Sequence, residues 1–301
     1  MTNLDYCFNH FEAIIRRFTS LIRLKTSDKG YYKFTSILKR LRCLFSKPQV
    51  ISKHPQSSDF CIGISRESKF LRLCITHDID SIDCADLLGE VLAVGKNFGA
   101  LPTVNFLTSG SYELTSSHFD QVLGVGGEVG LHGDFHDLYL CCRPADEIQI
   151  RLKKMMDRFP KELRPTSFRH PGFGMSHNLA LTLSEFGFTR DASLKGGAFF
   201  NKSFFGYEPF YLPMSNVLEV RTHLSDDGMI REHKLDTTQQ LNLTIQTARE
   251  VAKYGGVMNM NFHPGIIGKN LPAYELLLDS LMNDFEVEFS TLGNLKVTDG
   301  I

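Results

Sequence analysis

The sequence predicts an α/β fold built on a mainly parallel sheet. Three observations lead there. From Leu71 onward, short apolar runs alternate with segments whose apolar residues recur every three or four positions, and such alternation marks strands joined by helices. The chain has 301 residues, 42% of them hydrophobic, which suffices for a full core, and α/β barrels of this length often form one domain. Four polar stretches each close an apolar, strand-like run, where sites gather in such folds.

In chain order, Leu71–Thr76 is a short apolar run read as the first strand, and Cys84–Phe98 has helical spacing. Pro102–Leu107 and Glu128–Leu131 read as strands. Pro144–Phe159 reads as a helix, with proline in its first turn and Ile148, Leu152, Met155, Met156 and Phe159 on one face. Ser167–Arg169 is a strand end, Asn178–Phe186 a helix and Val217–Thr222 strand-like. A helix over Thr237–Tyr254 has Thr237 or Asp236 as candidate cap. Val257–Phe262 is a strand, Ala273–Phe285 a helix and Val287–Ser290 the last strand.

Residues 1–68 differ in character. Phe8, Phe11, Ile14, Ile15, Phe18, Leu21 and Ile22 fall on one helical face. Between Arg16 and Lys47 there are ten Lys or Arg and one acid, Asp28. The segment reads as a basic helical extension, either a decoration with solvated charges or a surface for anionic lipid. Residues 48–68, with Pro48, Pro55 and several serines, read as a connector.

The net charge of -1 gives no sign of nucleic-acid binding. The 7 cysteines include no Cys-x-x-Cys pair and are odd in number, so neither a zinc knuckle nor a disulfide framework is supported. Unpaired thiols fit a reducing compartment. The N-terminus lacks the pattern of a signal peptide, and no apolar run approaches the roughly 20 residues that span a bilayer. The expected location is cytoplasmic, with residues 1–60 a candidate for peripheral contact with the inner membrane face.

The chemistry lies in the four stretches. Asp78 and Asp80, in Thr76-His77-Asp78-Ile79-Asp80, point to the same side of an extended chain. Two such carboxylates repel unless a cation neutralises one or one takes up a proton. One would then bind metal and the other remain as a base; the alternative is an Asp-rich turn capping the next helix. His132 and His136, in His132-Gly133-Asp134-Phe135-His136, are spaced like a zincin pair, but Gly133 stands where the glutamate would be needed. Gly130 and Gly133 argue against a helix interior, so the pair is expected on a turn. Two imidazoles and a carboxylate form a three-ligand set with a position open for water; the alternative is ordinary hydrogen bonding. Arg169, before His170-Pro171-Gly172, is suited to fix a carboxylate through two parallel hydrogen bonds, and Asp191 is a candidate to hold that arginine. A surface ion pair is the alternative. In Asn261-Phe262-His263-Pro264-Gly265, Pro264 restricts His263 to extended geometry. That suits a proton donor to a leaving amine at the site rim, or a His-Pro with no such role.

In this order the stretches resemble the polysaccharide deacetylases with a NodB-homology domain, carbohydrate esterase family 4. The resemblance covers roughly Arg72 to Lys296 and marks residues 69–301 as a deacetylase-like catalytic domain. It implies a distorted (β/α) barrel of about seven parallel strands and a divalent ion, usually zinc; cobalt, nickel and manganese suit the same donors. By that similarity Asp78 would be the general base, and Asp80, His132 and His136 the metal ligands. Arg169 would position the base, Asp191 would tether Arg169, and His263 would be the proton donor. The chain departs from the pattern in having no Trp, in Asn259 and Met260 where relatives often carry a leucine, and in His77 and Asp134, extra polar groups beside the ligands that are candidates to support them.

The expected activity is hydrolysis of an N-acetyl group on a sugar. Without an export signal, the substrate would be an intracellular precursor of surface polysaccharide, nucleotide- or lipid-linked. The alternatives are a deformylase, an O-deacylase or a cyclic-amide hydrolase on the same site, or a non-catalytic carbohydrate-binding module.

Overall fold

The computed structural model describes residues 69–196 and 207–296. The extension and connector expected over residues 1–68 lie outside the described residues. Among these, no helix is long and apolar enough to cross a membrane.

The sheet is built around β1 (Phe70–Ile79), which is buried without a break from Leu73 to Ile79. One edge of β1 pairs in parallel with β9 (Val257–Phe262). The opposite edge is shared: β10 (Glu286–Phe289) takes its first residues and β2 (Pro102–Leu107) its last. From β2 the sheet continues through β3 (Glu128–Gly133), β4 (Ser167–Phe168), β5 (Arg190–Asp191) and β7 (Leu218–Glu219), all parallel. An antiparallel strand, β6 (Phe210–Tyr211), flanks β7.

Closure comes from the segment read as one strand over Val217–Thr222. It begins as β7 beside β5 and ends as β8 (Leu224–Ser225) beside β9. Between them Val220 and Thr222 donate backbone hydrogen bonds to Asp191 and Leu194, and His223 then donates to Asn259. The chain exchanges one neighbour for the other, so the strand is interrupted and the sheet curls round. Counting β7 and β8 as one broken strand, seven parallel strands run round a distorted barrel, with β10 an eighth beside the start of β1, the α/β fold class expected.

Helices follow the strands and cover the outer face. They are α1 (Ile82–Asn97), α2 (Ser116–Leu123), α3 (Ala145–Met156), α4 (His177–Glu185), α5 (Thr237–Tyr254), α6 (Pro264–Ile267) and α7 (Leu271–Asp284). A six-residue π-helix, Asp227–Glu232, follows β8. Sequence periodicity misses α2, which buries only Phe119 and Val122 and starts from a capping box of Thr115 with His118. For α5, Asp236 is the cap; its carboxylate accepts from the Gln239 N–H.

The two faces of the sheet differ in chemistry because side chains alternate along each strand. Leu71, Leu73 and Ile75 of β1 pack with Met258, Met260 and Phe262 of β9 against α5 and α7. Val104, Phe106, Val129, Leu131 and Phe168 pack against α2, α3 and α4. The intervening residues are polar and buried: Thr76, Asp78, Asn105, His132, Arg169, Asp191, Glu219, Asn259 and Asn261. They fill the barrel. Gly130 makes room there, since a Cβ at that position would collide with the Asn105 side chain. At the strand starts, Glu128 accepts from Thr103 and Ser167 and from the Gly293 N–H, drawing the C-terminal segment across that end.

Candidate active site

Asp80 lies one residue beyond β1, where the chain leaves the sheet. Its Oδ1 is 3.1 Å from Nε2 of His132, near the end of β3, and its Oδ2 is 3.3 Å from Nε2 of His136 in the following loop. Donor atoms of the three residues lie within 4.8 Å of one another. Nδ1 of His132 is 2.8 Å from the Arg169 carbonyl, so it carries a proton and donates to that oxygen, and Nε2 faces Asp80. Oδ1 of Asp80 is buried and has no hydrogen-bond partner. Burial pushes the His136 pKa down, but the charge and hydrogen bond of Asp80 raise it overall. A carboxylate facing two imidazole nitrogens calls for positive charge between them. These donors fit a divalent cation.

Asp78 is held apart from this set. It is fully buried, with Nδ2 of Asn105 donating to Oδ1 at 2.9 Å and Nδ2 of Asn261 donating to Oδ2 at 2.8 Å. His132 Nε2 is 3.9 Å from Oδ2. Burial pushes the Asp78 pKa up, but the charges of His132, Arg169 and His263 hold it below the ordinary carboxylate value.

Arg169 differs from expectation in geometry. It makes no pair of parallel bonds to a carboxylate. Nη1 donates to Thr222 Oγ1 and Nη2 to Thr76 Oγ1, each at 2.7 Å, while Nε faces Asp78 Oδ1 at 3.4 Å. The two asparagine amides already supply the short bonds to Asp78, so the guanidinium acts on it through charge.

Asp191 also departs from expectation. It does not tether Arg169. Its oxygens accept from the N–H and Oγ of Ser193, at 2.9 and 2.7 Å. It lies beside Glu219, its partner in the β5–β7 register, and both are fully buried. Glu219 in turn accepts from the Leu194 N–H. Burial, then the charge of Asp191, push the Glu219 pKa well above normal, and burial raises that of Asp191 as well.

His263 follows β9, and its Nε2 is 3.5 Å from Asp80 Oδ2. A residue not singled out from sequence holds it: Asp226, 1% exposed, accepts from the His263 N–H and contacts Nδ1, both at 2.6 Å. Burial alone would lower the His263 pKa, yet the carboxylates of Asp226, Asp80 and Asp78 raise it well above normal. Of the polar neighbours noted from sequence, His77 points outward between Phe262 and Tyr274, and burial lowers its pKa to about 4. Asp134 points to Arg151. Neither touches the ligand set.

The cluster thus offers donors that fit a cation, a buried carboxylate beside them with a lowered pKa and a histidine next to Asp80 with a raised one. No family model matches the chain, and no curated protein does. Its fold is nonetheless shared with solved structures. A protein assigned as a polysaccharide deacetylase from Mycobacterium smegmatis superposes with a TM-score of 0.61 at 14% identity, covering 77% of this chain and 90% of that one. Puue allantoinase superposes at 0.56 and 13% identity, over 75% and 89%. A family 4 carbohydrate esterase from Streptomyces lividans, in complex with acetate, gives 0.50 and 11%, over 74% and 92%. The chain therefore adopts the polysaccharide-deacetylase fold.

Removing Arg169 would leave Asp78 buried without its counter-charge. Arg169→Met should cost about 3–5 kcal/mol of stability, read as a lower urea midpoint at unchanged slope.

Proposed function

We propose that this chain is a metal-dependent hydrolase that removes an N-acetyl group from a sugar. The observation that carries the reading is the convergence of Asp80, His132 and His136 with Asp78 held separately beside them. Asp80, His132 and His136 would hold a divalent ion, with zinc the first candidate and cobalt, nickel or manganese served by the same donors. When bound, such an ion lowers the pKa of a water and polarises a carbonyl.

The chain's own residues divide the proton transfers. Asp78, kept ionised by Arg169 and oriented by Asn105 and Asn261, accepts the proton of the attacking water. His263, kept protonated by Asp226, donates to the departing nitrogen. The bond to nitrogen breaks, acetate takes the water oxygen and the amine leaves protonated.

For substrate and place, we propose a cytoplasmic precursor of surface polysaccharide, nucleotide- or lipid-linked, with residues 1–60 in peripheral membrane contact. The basic sequence of that segment supports the lipid-linked form. The likeness to an allantoinase favours a second reading, opening of a cyclic amide by the same groups. A panel of N-acetyl, N-formyl and O-acetyl sugars with a cyclic ureide separates the readings: acetate release from the N-acetyl sugars alone supports the first, and turnover confined to the ureide overturns it.

Asp80→Ala and His132→Ala should lose bound metal and turnover together. Asp78→Asn should retain metal, by elemental analysis, while turnover falls about 10²–10⁴-fold; undiminished turnover in the metal-free chain would refute the assignment.

An acid must be protonated to act, so activity falls as pH rises through the His263 pKa. Asp226 raises that pKa, and Asp226→Asn should therefore move the alkaline limb of the kcat profile to lower pH. An unmoved limb would exclude His263 as the acid.

A further inference from the structure

We infer that Arg151 is the positioning residue for His136. The inference rests on reading Asp80, His132 and His136 as a cation site. The two histidines are supported differently. His132 has its remote nitrogen fixed by the Arg169 carbonyl at 2.8 Å. Nδ1 of His136 is buried and has no partner. Ligating imidazoles are ordinarily oriented by a hydrogen bond at the second nitrogen. His136 must take its direction from the loop that carries it.

Arg151 clamps that loop, with Arg143 a more distant second cation 3.9 Å from Asp137. Arg151 Nε donates to Asp134 Oδ2 at 2.9 Å, and Nη2 donates to Asp134 Oδ1 at 2.6 Å. Nη1 donates to Asp137 Oδ2 at 2.6 Å. The guanidinium carbon lies 5.1 Å from the centre of the Phe135 ring. Both carboxylates are also tied to the loop backbone: Asp134 accepts from the Phe135 N–H and Asp137 from the Tyr139 N–H. His136 thus sits between two anchored residues, two positions after one and one before the other.

The clamp is built where the chain is otherwise free to swing. Gly133 leaves β3 at φ 119°, a conformation that L side chains rarely adopt. Arg151 stands on α3, which the core fixes through Ile148, Leu152 and Met155. Its side chain is 13% exposed, so its pairs are less screened than surface ones. The fork geometry of a guanidinium lets it hold two carboxylates at once; a lysine presents a point charge and cannot.

The test measures zinc affinity of the full-length chain by chelator competition, with thermal melting of the metal-free protein alongside. Arg151→Lys and Arg151→Met should weaken zinc binding by about 10–100-fold. In a His136→Ala background, Arg151→Met should produce no further loss, because its effect passes through the missing ligand. A general structural role would weaken both backgrounds equally, and that result overturns the inference. So does a native chain that binds zinc while Arg151→Met binds equally well. A native chain that takes up no zinc overturns the cation reading itself. Should Arg151→Met not fold, the Asp134→Asn and Asp137→Asn double variant loosens the same clamp at nearly constant volume and carries the same comparison.

Discussion

The buried guanidinium of Arg169 is the interaction on which the interior depends. Arg169 is the largest fully buried side chain among the described residues. It binds Thr76 on β1 and Thr222 in the link between β7 and β8, so a single charge joins strands from opposite parts of the chain. With His132 it also supplies the positive charge that holds the buried Asp78 below the ordinary carboxylate pKa. The backbone carbonyl of the same residue fixes the tautomer of His132. The prospective base and one prospective ligand therefore take their state from one position at the end of β4. The charge of Arg169 also reaches Asp191 and Glu219, but burial outweighs it and pushes both of their pKa values up.

This polar interior is tolerable because the sheet separates two environments. Apolar residues of β1 and β9 face the helices, and the residues between them face the barrel. A register slip of one residue would exchange the sets, burying Asp78 among leucines and Leu73 among amides. The hydrogen bonds of Thr76 and Asp78 to Asn261 across the β1–β9 pair penalise that slip directly. The groups that would do chemistry thus also fix the alignment of the strands.

Much of this was legible in the sequence where punctuation is strong. The spans Pro102–Leu107, Thr237–Tyr254 and Val257–Phe262 are observed as read, the helix bounded by the Asp236 cap and by Gly255 at φ 69°. The grouping of Asp80, His132 and His136 is legible because Asp80 and His132 lie at strand ends and His136 follows His132 by four residues on the next turn. Asp226 was not, since the preceding strand has only two residues and a π-helix follows. Asn105 and Asn261 lie inside spans that read only as strands, although single amides in buried apolar runs are a usable signal. The partner of Asp191 depends on the pairing of β5 with β7, short strands separated by a long stretch of sequence. Asp134 drew notice as a neighbour of the ligands, but its bond to Arg151 needed the packing of α3 to become visible.

The placement of β1 has a consequence for how the molecule is made. Its partners on one edge and on half of the other, β9 and β10, come from the far end of the described chain. During synthesis the longest described strand must wait, with bare backbone amides along an edge, until nearly two hundred further residues have emerged. Such distant pairing is slow, and a waiting strand of this kind is a template for association with other chains. Assembly of the barrel is thus set by the last strands to arrive, and those strands also deliver the histidine that completes the cluster.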